Sequence, residues 1–269
     1  MTAQRQPFIS RRDRSIETRD TPEHRAGNSI GLIAAFAQWW GEERDRASLV
    51  AALRRLVSIG YEFARDSLPD RKRQRYGDAD FDWQHRVNTT SGGVGWRARL
   101  IGLLNSAYQP MEQELFSEML NALGIDYREF TFIDIGSGKG RALLMASVYP
   151  FRRVLGIELL PELNEIAQDN IRRFASSEQR CQTVEAICAD ATGFQFPSDP
   201  LVVYLFHPLP AAGFTTVMTN LDLSWREKPR PIHVVYANPV FEHMLENWPG
   251  VHKMAGTHQY SLYELRDLG

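Results

Sequence analysis

The sequence is short of cysteine, of net charge and of long apolar runs, and each shortage excludes something. Only Cys181 and Cys188 occur among 269 residues. Two cysteines are too few for a disulfide framework, and their spacing is not the C-x-x-C of a redox or zinc site. A reducing, cytoplasmic setting is therefore expected. No apolar run reaches the roughly 18 to 20 residues that a membrane span needs. The best stretch, 30–40, is interrupted by Gln38 and followed by Gly41, Glu42 and Glu43. The opening residues, MTAQRQPFISRRDRSIETRD, hold no apolar segment of the kind a secretory signal requires. The histidines at 85, 233, 243, 252 and 258 show no H-x-H ligand spacing and a single H-x-x-E, His243 to Glu246, with no further ligand beside it in the pattern, so no metal is expected. No G-x-x-x-x-G-K-[ST] string exists either, which excludes a P-loop. With 43% hydrophobic and 11% aromatic residues and a net charge of -2, the chain is expected to be globular rather than disordered.

The near-zero charge conceals an asymmetry. Residues 1–76 hold 15 Lys/Arg against 10 Asp/Glu, an excess of five positive charges, while the remainder holds 16 against 23, an excess of seven negative. Residues 1–27 mix Arg, Asp, Glu, Gln and Pro with no apolar period and read as a mobile tail. From Asn28 the pattern becomes helical. Ser48 is a candidate N-cap before Leu49, Leu53, Leu56, Val57, Gly60, Phe63 and Ala64 at i, i+3, i+4 spacing, and Pro69 marks the stop. A basic knot at 71–75 reads as a solvated connector. Asn88 to Gly93 is a loop, Tyr108-Gln109-Pro110 a second break, and 111–123 a helix. The tryptophans of this part, at 39, 40, 83 and 96, are expected to pack into a core. Residues 28–124 thus form a helical extension.

Beyond residue 125 the periodicity changes. Strands are expected at 130–135, 153–159, 183–188, 201–206 and 232–236, with helices at 141–148, 161–174, 211–221 and 240–246. Two further strands, 251–256 and 260–265, close the sequence. Strands separated by helices imply right-handed crossovers and a mainly parallel α/β sheet, whereas two adjacent strands pair as an antiparallel hairpin.

The most informative string is Phe130-Thr-Phe-Ile-Asp134-Ile-Gly136-Ser137-Gly138-Lys139-Gly140, an acid at a strand end followed by glycines at alternate positions and then a helix. Ligands of open α/β sheets bind outside the carboxyl ends of the strands. Glycines let the backbone turn sharply and let a ligand come close. A dinucleotide fingerprint needs its third glycine three positions beyond the second, where this chain has Arg141. Asp134 would repel a phosphate but suits a ligand carrying an ammonium and a sulfonium.

These residues resemble the first motif, D/E-x-G-x-G-x-G, of the class I, seven-strand, Rossmann-like S-adenosylmethionine (SAM) methyltransferases, over about 125–269. The resemblance implies that Glu158, at the end of the second strand, bonds the ribose hydroxyls and that Asp190, after the third, faces the adenine amino group. Leu159 and Ala191 beside them, and Gly136, Ser137, Gly138 and Gly140 in the turn, are implied as cofactor-binding with Asp134. Tyr108-Gln-Pro110, the glycine string and Tyr204-Leu-Phe-His-Pro208 look like bacterial relatives of the non-SET histone lysine methyltransferases. That likeness makes Tyr108 and Pro110 a lid over the cofactor, with Tyr108 among the catalytic candidates, and the loop from Val87 a cofactor contact.

Methyl transfer from a sulfonium is an in-line displacement, so the protein supplies proximity, orientation and an unprotonated nucleophile. At the end of the fourth strand, where amine-modifying members carry [N/D/S]-P-P-[YF], this chain has His207-Pro208-Leu209. A neutral imidazole accepts a proton near neutral pH, making His207 the candidate orienter or base, with Pro208 and Asn238 as substrate-lining residues. Asn238-Pro239 reads first as a turn and helix-start signal. SAM is the expected cofactor and S-adenosylhomocysteine its product. The expected activity is N-methylation of a protein lysine or other amine. The alternatives are O-methylation of a small-molecule hydroxyl or carboxyl, or a non-catalytic binding module of the same fold whose basic tail meets nucleic acid. No membrane partner is expected, and the sequence does not name the acceptor or the oligomeric state.

Overall fold

The computed structural model describes residues 36–37, 39–41, 44, 49–66, 79–90, 111–206 and 209–266, with the side chains of 59–66 excepted. The expected tail at 1–27, the basic knot at 71–75 and Trp96 lie outside the described residues. Helix α1 spans Leu49–Asp66, as its apolar spacing foretells, and α2 spans Ala79–His85. No helix was expected at α2. Asp80 and Asp82 sit in its first turn, where carboxylates suit the helix dipole, and His85 in its last. Trp83, expected in a core, is 84% exposed instead. Two residues beyond buried Phe81 is the opposite side of a helix, and it is His85, one turn on, that meets Phe81 at 4.6 Å and Phe174 at 5.0 Å.

Helix α3 covers Gln113–Asn121 and leads through a 3-10 turn, Tyr127–Glu129, into strand β1, Thr131–Ile135. Then follow α4 (Arg141–Ser147), β2 (Arg153–Glu158), α5 (Pro161–Arg173), β3 (Val184–Cys188), a 3-10 turn (Ala191–Gly193), β4 (Leu201–Phe206), α6 (Ala211–Glu227), β5 (Ile232–Ala237), α7 (Glu242–Glu246), β6 (Val251–Gly256) and β7 (Tyr260–Leu265). All seven expected strands form. Helix α6 runs six residues past its expected end at 221, because Leu221 is buried and the turns beyond it continue until Lys228 leaves helical geometry. Helix α7 starts two residues late, since Asn238 and Pro239 are taken up in a turn.

The strands make one sheet in the order β3-β2-β1-β4-β5-β7-β6. The first five run parallel, and β7 pairs antiparallel with both β5 and β6. This is a Rossmann-like, seven-strand mixed sheet. Successive side chains alternate between faces, so each strand feeds two cores. One face carries Phe132, Val154, Tyr204, Val235 and Leu262 against α2, α3 and α4. The other carries Ile133, Leu155, Val203, Val234 and Tyr263 against α6 and α7. Phe81, Met111, Phe116 and Met119, all upstream of residue 125, belong to the first of these cores, so α2 and α3 share the sheet's own interior, whereas Trp39 and Trp40 form a separate cluster with Leu56 of α1. No helix among the described residues is long and apolar enough to cross a membrane.

Candidate active site

Strand order reverses between β1 and β4, and the glycine turn leaves β1 at that point. Gly136, Gly138 and Gly140 have φ of 79°, 54° and 81°, the left-handed region that a Cβ disfavours. Gly140 also faces Ala167 of α5, where an added Cβ would lie 3.1 Å from the Ala167 Cβ. The turn is tied to β2: the N–H groups of Gly136 and Ser137 both donate to the Ile157 carbonyl, at 2.8 and 3.0 Å. Ser137 tucks beneath β2, and it fits only because residue 156 is glycine. A Cβ there would meet Ser137 Oγ at 2.7 Å and Leu143 Cδ1 at 2.6 Å.

Asp134 is 3% exposed. Its neighbours across the sheet are Gly156 on β2 and Tyr204 on β4, and the row continues through Ala186, Val235 and Leu262. It is the one ionisable carboxyl in an otherwise apolar row, and among the described residues it has no hydrogen-bond or ion-pair partner. Burial, and then the Glu158 carboxylate, hold its pKa well above the ordinary carboxylate range. The Tyr204 hydroxyl is likewise buried without a partner among the described residues, and burial followed by Asp134 pushes its pKa up.

Glu158 is 7% exposed at the end of β2. Its Oε2 accepts from the Gly138 N–H at 2.8 Å and its Oε1 from the Leu160 N–H at 2.8 Å. Burial raises its pKa, while the N–H groups of Leu160, Gly138 and Leu159 oppose the shift. Each oxygen keeps lone-pair capacity for a further donor. Asp190 is exposed after β3 and accepts from the Thr192 N–H at 2.8 Å and its hydroxyl at 2.7 Å, capping the 3-10 turn that begins at buried Ala191. The three acids thus stand at the ends of three adjacent strands. Asn238 has a φ of 49° and is exposed; its N–H donates to the Gln259 carbonyl and its own carbonyl accepts from Val240. That geometry is the turn expected from its sequence. Tyr108, Pro110, His207 and Pro208 lie outside the described residues.

Sequence reasoning missed the residues that secure the turn. Lys139, between two glycines, is fully buried, and its ammonium donates to the Thr90 carbonyl at 2.7 Å and to Asn88 Oδ1 at 3.1 Å. Burial lowers its pKa to about 8, against the pull of Asp82. Arg141 Nε donates to the Met111 carbonyl at 2.7 Å, its Nη1 donates to Thr89 Oγ1 at 3.0 Å, and its guanidinium lies 4.3 Å from the Phe81 ring centre. Asn170 holds both sides, donating from Nδ2 to the Lys139 carbonyl at 2.9 Å and to the Asn88 carbonyl at 3.0 Å, and accepting the Asn88 N–H at 2.7 Å. A signal for Asn170 existed: it falls on the same helical face as Leu163 and Ala167, a polar residue at an inward position. The loop from Val87, expected to touch the cofactor, is thus seen bonded to the glycine turn.

No protein-family model and no curated protein matches this chain. Solved structures of similar fold do. An RNA methyltransferase from Salinibacter ruber, in complex with S-adenosyl-L-homocysteine, has 20% identity over 58% of this chain and 92% of its own, with a TM-score of 0.40. A precorrin-6y C5,15-methyltransferase from Geobacter metallireducens has 18% identity over 58% and 90%, with a TM-score of 0.43. A TehB-like SAM-dependent methyltransferase from Corynebacterium glutamicum has 15% identity over 56% and 85%, with a TM-score of 0.40.

Proposed function

We propose that the chain is a SAM-dependent methyltransferase acting on an amine, a protein lysine first among the acceptors. One observation carries the reading: Asp134 and Glu158, two buried acids at adjoining strand ends beside a left-handed glycine turn, while the turn's cation, Lys139, faces the other way. A buried carboxylate without a counter-charge is costly, and a cationic ligand relieves that cost. The donor set also fits the ligand's remaining groups. The glycine turn admits a close approach, Glu158 has lone pairs for two hydroxyls, and Asp190 accepts from an amino group.

When bound, SAM supplies a methyl group on a sulfonium, an electrophile with a neutral thioether as leaving group. An unprotonated amine would be the acceptor of that methyl, and the proton it sheds would pass to a base on the protein. Asp134 binds the ligand's cationic end, Glu158 orients its ribose, and the apolar row around Asp134 excludes water. His207, following β4, accepts the proton or orients the amine.

Calorimetry with SAM and S-adenosylhomocysteine tests the cofactor. The wild type is expected to bind both, and Gly138→Arg and Glu158→Ala to weaken binding tenfold or more; no binding by the wild type, or undiminished binding by both variants, sinks the reading. Labelled SAM added to the source lysate tests the acceptor. Label on lysine supports an amine, whereas label confined to ester- or ether-linked small molecules transfers the assignment to an O-methyltransferase. His207→Ala is expected to keep SAM affinity and lose turnover.

A further inference from the structure

The five-residue turn 136–140 has only two side chains, and they go in opposite directions. Ser137 fills the space beneath β2 left by Gly156. Lys139 crosses to the segment 88–90, some fifty residues before it in the sequence, and bonds Thr90 and Asn88 there. The main chain at 139 is fixed by the same segment, because Asn170 bridges the Lys139 carbonyl and both backbone polar groups of Asn88. Asp82 then locks the segment from behind, accepting the N–H groups of Thr89 and Thr90 at 2.7 and 3.0 Å and the Thr89 hydroxyl at 2.5 Å. The N–H groups of residues 88, 89 and 90 are all held by side chains, none by a regular ladder.

A methionine at 139 would fill a similar volume without burying an ammonium on neutral acceptors, so a lysine is not the cheapest filler. What the lysine adds is direction: its bonds exist only when the turn and the segment take one relative arrangement. The turn is also where Glu158 receives the Gly138 N–H, so a shift at 139 reaches the proposed ribose site through one residue.

We propose that Lys139 is a positioning residue of the cofactor site, coupling the glycine turn to residues 88–90 so that ligand binding at the turn and order in that segment reinforce each other. The ligand half of this coupling rests on the SAM reading above. Coupling of this kind is reciprocal: whatever the ligand does to the segment, the segment does to ligand affinity by the same factor.

Amide hydrogen exchange and calorimetry on the full chain decide it. Saturating SAM is expected to slow exchange at 88, 89 and 90 in the wild type. Lys139→Met should weaken SAM tenfold or more and abolish that slowing. Asn88→Ala, which leaves Lys139 its bond to Thr90, should weaken SAM less and, with no ligand present, speed exchange at Gly138 and Gly140. SAM bound by the wild type without slowing at 88–90, or bound equally well by folded Lys139→Met, overturns the coupling. So does unchanged exchange at 138 and 140 in Asn88→Ala, an outcome that needs neither SAM nor a folded Lys139→Met. A wild type that does not bind SAM removes the methyltransferase reading, and the Asn88→Ala exchange then decides the coupling by itself.

Discussion

Asp134 and Glu242 are both carboxylates against the same sheet, and their surroundings push them in opposite directions. Glu242, at the start of α7, accepts from Lys253 Nζ at 2.6 Å, from the Tyr263 hydroxyl at 3.1 Å and from the Ser261 hydroxyl. The bonds from Lys253 and then Ser261 lower its pKa, against a smaller effect of burial. Asp134 has no such partners among the described residues, and burial raises its pKa. Three donors around one half-exposed acid stabilise the outer sheet. A buried acid left without donors among the described residues does the reverse, and under the proposed function a cationic ligand is what would offset that cost.

Replacement of Asp134 gives the largest expected effect. Asp134→Asn should weaken SAM on the order of 100-fold, about 2.7 kcal/mol, while leaving the ligand-free protein at least as stable near neutral pH. The linkage gives the sign. Asp134 has a folded pKa above its ordinary 3.8, so its contribution is fully present below that value and is lost as pH rises through the folded pKa. Glu242 has a folded pKa below its ordinary 4.5, so its contribution is present above that value and is lost as pH falls through the folded pKa. Melting curves of Asp134→Asn and Glu242→Gln, each subtracted from the wild type across pH, should therefore slope in opposite senses. Slopes of the same sense would erase the contrast.

Gly156→Ala comes next. Forcing a Cβ against Ser137 and Leu143 should cost roughly 1 to 3 kcal/mol by denaturant titration, whereas Gly193→Ala, with nothing within 4 Å of the added carbon, should be close to neutral. Glu242→Gln should cost about 1 kcal/mol, less at high salt, and leave SAM affinity untouched. Smallest is Tyr204→Phe. Its hydroxyl is buried without a partner among the described residues, so its removal should leave ligand-free stability within about 1 kcal/mol of the wild type, on the stabilising side. A larger loss would mean that the hydroxyl has a partner after all.

Much of the sheet was legible because its signals are local. Each strand is a short apolar run, and the glycine string with Asp134 is contiguous. Glu158 and Asp190 came from the family resemblance, which expects acids at the ends of the second and third strands. The packing of the upstream segment against the turn was not legible, because it depends on contacts across large separations. Lys139 meets Thr90 across 49 positions, and Asn170 meets Asn88 across 82. Nothing in the apolar pattern of 153–159 singles out Gly156, since the need for a missing side chain appears only once Ser137 and Leu143 arrive beside it. Trp83 was misplaced by composition alone, and the position of Phe81 on the same helix decides its orientation.

The Glu242 cluster has a consequence beyond the stability of one edge. Among the described residues β6 is the outermost strand, with five of its six residues exposed, and so an edge of the sheet. The register shifts between Lys253 and Ala255, and Lys253 holds a charge on this strand, tethered to Glu242. An irregular, charged edge is a poor template for an eighth strand, so the same lysine that secures the end of the sheet also limits its growth into aggregates.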